Sequence, residues 1–292
     1  MESQIANQKS RINRIAVIGA GTMGHGIAQA AAMAGYETRL TDSYPDAIAA
    51  AWDRIHANLA GAVDRGKLTR DQADAAAARV MPVATFDVAA RDADLVIEAV
   101  LEDLAVKQAL FQQLDSTVSD TTILATNTSS LSVTRIAEAT KRPSRVVGMH
   151  FFNPVHIMKL VEVVAPAGCD ASVVAAVCGV AERMGKTTIL VRDTPGFASS
   201  RLGVTLGLEA MRMLEEGVAS AADIDTAMEL GYGHPMGPLR LSDLVGLDVR
   251  LKIAEYLQRE LGEQKFEPPR ILREKVQRGE LGKKTGKGFY EW

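Results

Sequence analysis

The chain has 292 residues, enough for about one and a half to two domains at ~150 residues each, and is 47% hydrophobic and 24% charged. That balance excludes disorder, and a formal net charge of −3 leaves no global basic field for a nucleic-acid partner, though a local basic pocket for a small phosphorylated ligand stays compatible. No apolar run approaches the ~20 residues of a membrane span. The opening MESQIANQKSRINR lacks both the apolar stretch of a secretion signal and the Arg/Ser richness of a transit peptide. Cys169 and Cys178 are too few for a disulfide framework or a four-ligand zinc site. A soluble cytoplasmic protein with no metal is expected.

In chain order, RIAVIG at 14–19 predicts a buried strand, the Ala-rich stretch 22–34 a tightly packed helix closed by Gly35, and ETRLTD a second strand ending at Asp42. A long helix follows from Pro45 to about Gly66. ADLVIEAV, TTILATN and RVVGMHFF are further strands separated by helix-compatible sequence, an alternation that predicts an α/β, doubly wound parallel sheet. LVEVV and TTILV extend it; from Pro195 onward only helical periodicity remains, with EAMRMLEEG, AADIDTAMELG and LKIAEYLQRELG each closed by glycine. A Rossmann-type domain over 1–192 and an all-helical domain over 193–292 are expected. Leu202, Leu206, Met211 and Leu214 suit either a subunit interface or that domain's own core.

Gly19-Ala20-Gly21-Thr22-Met23-Gly24 fits G-x-G-x-x-G between a predicted strand and a predicted helix, the context the motif requires. Gly19 permits the tight turn, Gly21 lets the backbone approach a pyrophosphate, and Gly24 allows close helix–strand packing. The helix N-terminus adds free N–H groups and a positive dipole. Asp42 lies 18 residues past Gly24, where a carboxylate accepts from ribose hydroxyls and repels a 2′-phosphate. NAD is therefore expected over NADP, and Ser43 supplies no arginine to reverse the preference.

His150 ends an apolar strand at the carboxyl edge of the sheet, where open α/β folds place ligands. Asn153-Pro154 favours a turn, and KLVEVV reads as the next strand, which would set Glu162 beside His150. A histidine oriented by a carboxylate is a general base for neutral pH; a satisfied structural histidine is the plainer reading. His25, His56, His156 and His234 read as structural or surface residues. In NTSS, Ser129 suits a hydrogen bond to a substrate oxygen and Ser130 the cap of the helix that follows.

These motifs, with VIEAVLEDLAVKQALF, DTPGFASSRL, DIDTAMELGYGHPMGPLRLSDLVGLD and GKKTGKGFYEW, resemble the 3-hydroxyacyl-CoA dehydrogenase family over residues 19–292. The resemblance implies NAD, an acyl-CoA substrate, a homodimer formed through the helical domain, and oxidation of (S)-3-hydroxyacyl-CoA, short-chain such as 3-hydroxybutyryl-CoA, to 3-oxoacyl-CoA. It implies that His150 is the base, Glu162 its partner, and Ser129 a contact of both ligands. Glu102, Lys107, Asn153 and Lys284 match cofactor positions, although the basic, glycine-rich tail around Lys284 also reads as a solvated C-terminus. Asn58 and Arg65, seven residues apart on one helical face, match positions that reach CoA; Arg65 and Lys67 also read as merely solvated charges. The family's asparagine after PGF is here Ser200, which alters the substrate pocket. The alternatives are a dehydrogenase of a small free hydroxy acid, like the gulonate dehydrogenase relatives, and an NAD-binding protein without turnover.

Overall fold

The computed structural model describes residues 12–292, which divide into two units, one ending at Asp193 and one beginning at Thr194. In the first, strands β1 (Arg14–Ile18), β2 (Glu37–Thr41), β3 (Val80–Pro82), β4 (Leu95–Glu98), β5 (Ile123–Thr126), β6 (Val146–Phe151), β7 (Leu160–Ala165) and β8 (Thr187–Arg192) form one sheet of order β3-β2-β1-β4-β5-β6-β7-β8. All neighbours are parallel except β6 and β7, which run antiparallel. Central strands covered on both faces need apolar side chains at every position, which is why AVI, LVI and ILA read as unbroken runs.

Helices α1 (Gly24–Met33), α2 (Pro45–Asp64), α3 (Arg70–Arg79), α4 (Phe86–Ala90), α5 (Leu104–Thr117), α6 (Val133–Ala137) and α7 (Ala171–Arg183) connect the strands. The buried alanines of α1 (Ala28, Ala30, Ala31, Ala32) let its backbone sit close to the sheet. Gly24 takes this furthest: a Cβ there would lie 1.6 Å from the Gly19 carbonyl oxygen. Gly24→Ala therefore forces the first turn of α1 off β1. It should lower stability by at least the ~1–3 kcal/mol typical of overpacking; an unchanged urea midpoint would show that the turn has room to yield.

Between α2 and β4 the sequence reading named no element, yet the chain forms α3, β3 and α4. β3 is three residues long, ends in proline and pairs only with β2 at the sheet edge, too short for a periodic signal. Alanine-rich α3 starts at a capping box: Thr69 Oγ1 accepts from the Gln72 N–H while the Gln72 side chain accepts from the Thr69 N–H.

The second unit contains α8 (Ser199–Glu215), α9 (Ala221–Tyr232), α10 (Pro238–Val245), α11 (Leu247–Leu261) and α12 (Arg270–Gln277). Its core gathers Val204, Leu208, Met211, Leu239, Leu257 and Phe266. Of the apolar residues noted on α8, Met211 is buried there while Leu202 is 71% exposed. α9 runs through Gly231 and stops at Gly233, which holds the left-handed φ of 71°, so the sequence reading closed this helix two residues early. The C-terminal tail is not a solvated end. Buried Asp243 accepts hydrogen bonds from the Phe289 and Tyr290 N–H groups and the Trp292 indole, and Asp225 accepts from the Tyr290 hydroxyl.

Candidate active site

The loop from β1 to α1 brings backbone N–H groups to the carboxyl edge of the sheet. Gly19 adopts φ 103°, and a Cβ at Gly21 would meet nothing within 4 Å, so the backbone is open to a close ligand. Thr22 is exposed and Met23, half-buried, is the N-cap of α1 without a side-chain capping bond. Asp42 follows β2 and turns toward this loop: Oδ2 accepts from the Ala20 N–H at 2.7 Å and Oδ1 from the Tyr44 N–H at 3.0 Å. Oδ1 is also approached by the Ser43 hydroxyl at 3.5 Å, while Oδ2 keeps a second lone pair.

One expected site residue, Lys107, meets a carboxylate that sequence reasoning missed, and two others, Glu102 and Ser129, are linked to it through Lys107. Glu98, fully buried at the end of β4, accepts from the Lys107 ammonium at 2.6 Å, the Thr126 hydroxyl at 2.7 Å and the Val100 N–H at 2.7 Å. Lys107, on α5, is only 1% exposed and also lies 3.4 Å from Glu102. Glu102 in turn accepts from the Thr128 hydroxyl at 2.6 Å and the Ser129 N–H at 2.8 Å. The signal was a lone carboxylate closing the apolar run LVIE. Its partner sits nine residues on, across a crossover that spacing does not reveal.

The helix cap after NTSS is Ser132, not Ser130. α6 starts at Val133; Ser132 Oγ accepts from the Arg135 N–H and donates to Asp193, whose carboxylate also accepts from the Val133 and Thr134 N–H groups. Ser130 is instead buried, its N–H directed to Thr128 Oγ1 at 3.4 Å. The apolar Leu131 suggested a helix two residues before one forms.

β6 and β7 set His150 directly opposite Glu162 in their antiparallel register. The imidazole Nδ1 lies 2.7 Å from Glu162 Oε2, with His150 5% exposed and Glu162 fully buried. Asn127, at the end of β5, accepts from the Phe151 N–H at 2.9 Å and fixes the strand end that carries the histidine. The connection from β6 to β7 presents Asn153 to solvent and is held from below by Lys186, whose buried ammonium donates to the carbonyls of Val155 and Met158. Burial lowers the Lys186 pKa below the usual lysine value. Val155 packs on α1, where a Cβ at Gly26 would come within 2.9 Å of it.

On the same connection burial lowers the His156 pKa, and the fields of His25, Lys186, Arg65 and Lys67 push it the same way. Lys186, Arg65 and Lys67 make the neighbourhood of His156 basic, and of these the sequence reading singled out only Arg65 and Lys67. Asn58 and Arg65 do not share a helix to the end: α2 stops at Asp64 and Arg65 is its C-cap, exposed, with its guanidinium folded back toward Gly61. Asn58 donates to Gln29 on α1 at 3.0 Å. Ser200 and Lys284 belong to the helical unit. Ser200 is half-buried in the first turn of α8, and the Lys284 ammonium lies 2.6 Å from Asp248. Among the described residues no group of three His, Cys, Asp or Glu side chains is arranged to hold a metal ion, and no helix is long and apolar enough to cross a membrane.

Comparison with known proteins matches residues 14–194 to the NAD-binding domain of 3-hydroxyacyl-CoA dehydrogenase and residues 196–292 to its C-terminal domain. The chain belongs to the 3-hydroxyacyl-CoA dehydrogenase family. Family members similar to it include a probable 3-hydroxybutyryl-CoA dehydrogenase of Bacillus subtilis, 46% identical over 96% of this chain and 98% of that protein. A 3-hydroxyadipyl-CoA dehydrogenase of Escherichia coli is 45% identical over 96% of this chain, which spans 59% of that longer protein. Among solved structures of the family, Mycobacterium tuberculosis FadB2 superposes with a TM-score of 0.94 at 42% identity, covering 97% of this chain and 100% of that one.

Proposed function

We propose that this chain catalyses the reversible NAD-dependent oxidation of a short-chain (S)-3-hydroxyacyl-CoA to the 3-oxoacyl-CoA, with His150 as general base and acid. The observation that carries this reading is the buried His150–Glu162 pair on the same sheet whose β1 opens into the glycine loop. With Nδ1–H donated to the carboxylate, Nε2 carries the lone pair that would take the proton of a substrate hydroxyl. His150 takes the 3-hydroxyl proton in the forward direction and returns it in reverse, while Glu162 holds the ring and balances its charge. The Ser129 hydroxyl suits the substrate oxygen, and in the helical unit Ser200 keeps a hydroxyl where the family has its asparagine. NAD, when bound, supplies the hydride acceptor. The open backbone of Gly19, Gly21, Thr22, Met23 and Gly24 fits its pyrophosphate, and Glu102 and Asn153 sit on loops at the same sheet edge. Lys107 serves that site from behind by holding Glu102. In the helical unit Lys284, the family's further cofactor position, pairs its ammonium with Asp248.

Arg65 and Lys67, just past the end of the helix that carries Asn58, suit the CoA phosphates. The reading includes a homodimer, supported by Leu202, Leu230 and Tyr232 on the helical unit, 71%, 84% and 79% exposed. The test compares NADH consumption with acetoacetyl-CoA and with free acetoacetate at equal concentration. Rapid loss with the thioester alone is expected. Equal turnover of the free acid would move the chain to the hydroxy-acid dehydrogenases, and silence with both would retire the reading.

Asp42→Ala removes the carboxylate that repels a 2′-phosphate. The preference in kcat/KM for NADH over NADPH should shrink on the order of tenfold, or ~1.4 kcal/mol. An unchanged ratio in the variant would place the discrimination elsewhere.

A further inference from the structure

Asp193, the last residue of the first unit, opens the segment DTPGFASSRL, from which the sequence reading took only Ser200. Half-buried, it accepts three hydrogen bonds from the start of α6. The Ser132 hydroxyl and the Thr134 N–H both donate to Oδ2, at 2.9 and 2.7 Å, and the Val133 N–H donates to Oδ1 at 3.1 Å. A carboxylate here satisfies donors that a helix N-terminus leaves open and faces the positive end of its dipole. α6 is five residues long, and a helix this short is marginal in water on its own. Its first turn therefore depends on Asp193.

α6 follows the loop that carries Ser129. Glu102 fixes the other end of that loop, accepting from the Thr128 hydroxyl at 2.6 Å and the Ser129 N–H at 2.8 Å. Only Ser130 and Leu131 separate the two anchored stretches, and both direct their N–H groups to Thr128 Oγ1, at 3.4 and 3.0 Å. Thr128 to Thr134 is thus one hydrogen-bonded piece between two carboxylates, Glu102 beyond β4 and Asp193 beyond β8. Without Asp193 the start of α6 keeps only the Ser132 cap on the Arg135 N–H, and Leu131 and Ser130 transmit the slack to Ser129. A misplacement of about 1 Å at a reacting centre can cost on the order of 10²-fold in rate.

Resting on the 3-hydroxyacyl-CoA reading, we infer that Asp193 is a positioning residue for that reaction, which holds the Ser129 hydroxyl against the substrate oxygen by fixing the far end of its loop. The test is a double-mutant cycle in kcat for acetoacetyl-CoA reduction by NADH, with the wild type, Asp193→Ala, Ser129→Ala and the double variant. Asp193→Ala alone should lower kcat on the order of tenfold or more. In the Ser129→Ala background the same substitution should cost less than about twofold, because the group it positions is gone. Asp193→Asn keeps one acceptor oxygen and should fall between, and it runs the cycle if Asp193→Ala does not fold. Thermal melts of all the variants set an assay temperature at which each is folded.

An equal fold-loss in the two backgrounds would make Asp193 a cap that stabilises the fold without acting through Ser129, and it overturns the inference. So does an undiminished kcat in Asp193→Ala or in Ser129→Ala. Each of these outcomes leaves the proposed function standing. No turnover of acetoacetyl-CoA by the wild type retires the proposed function and this inference with it.

Discussion

His150→Ala is expected to lower turnover of acetoacetyl-CoA by at least ~10²–10⁴-fold, the usual contribution of a positioned acid or base. NADH should still bind, because the glycine loop and Asp42 lie on β1 and β2, separated from β6 by two strands. The pairing of His150 with Glu162 is rigidly set: strand register puts them opposite each other, and burial excludes the water that would otherwise compete for Nδ1. Glu162→Gln should keep the ring in place as an acceptor through its amide oxygen but withdraw the balancing charge. Its kcat should therefore fall less than that of the alanine variant while KM for NADH changes little. Stopped-flow turnover with fluorescence titration of NADH separates the two effects. Near-normal turnover in His150→Ala would remove this residue from the chemistry.

Lys107→Met should cost about 3–5 kcal/mol of stability, the range for breaking a buried pair by removing one partner. Glu98 would keep its bonds from Thr126 and Val100 but lose the cation that balances a fully buried carboxylate. The double variant Glu98→Gln/Lys107→Met removes the orphaned charge, and most of the loss should return. Urea denaturation of the two variants reads both numbers. If the single variant loses less than about 1 kcal/mol, the buried pair contributes no more than a surface ion pair. The same substitution should also raise KM for NADH, since Lys107 helps hold Glu102, which ties Thr128 and Ser129 in place.

The strand that carries His150 was legible because a central strand advertises itself as an apolar run, and the residue that breaks the run at its carboxyl end stands out. Glu98 breaks LVIE in the same way. It went unread because its value depends on Lys107, which the α5 crossover returns to it. Arg250 is the same case in the helical unit: its pattern is that of any solvated helix arginine, and only packing against α8 buries it. The cap at Ser132 was misplaced for a different reason. Ser130 and Ser132 are both good caps, and the choice fell to Asp193, 61 residues away, whose carboxylate gathers the N–H groups of Val133 and Thr134.

What the sequence alone determined was whatever depends on near neighbours. Glycines at 19 and 24 encode a turn that other residues cannot make, β-branched runs encode buried strands, and the change to helical periodicity after Pro195 encodes the second unit. These follow from backbone sterics and from the periods of helix and strand, which act over a few residues. Tertiary structure alone decided which charges are buried and by what they are balanced. Lys107 faces Glu98, Lys186 faces two carbonyls, and Arg250 faces no carboxylate among the described residues. Desolvation and pairing of a charge depend on strand order, register and helix crossing, and residues far apart in the chain set those together.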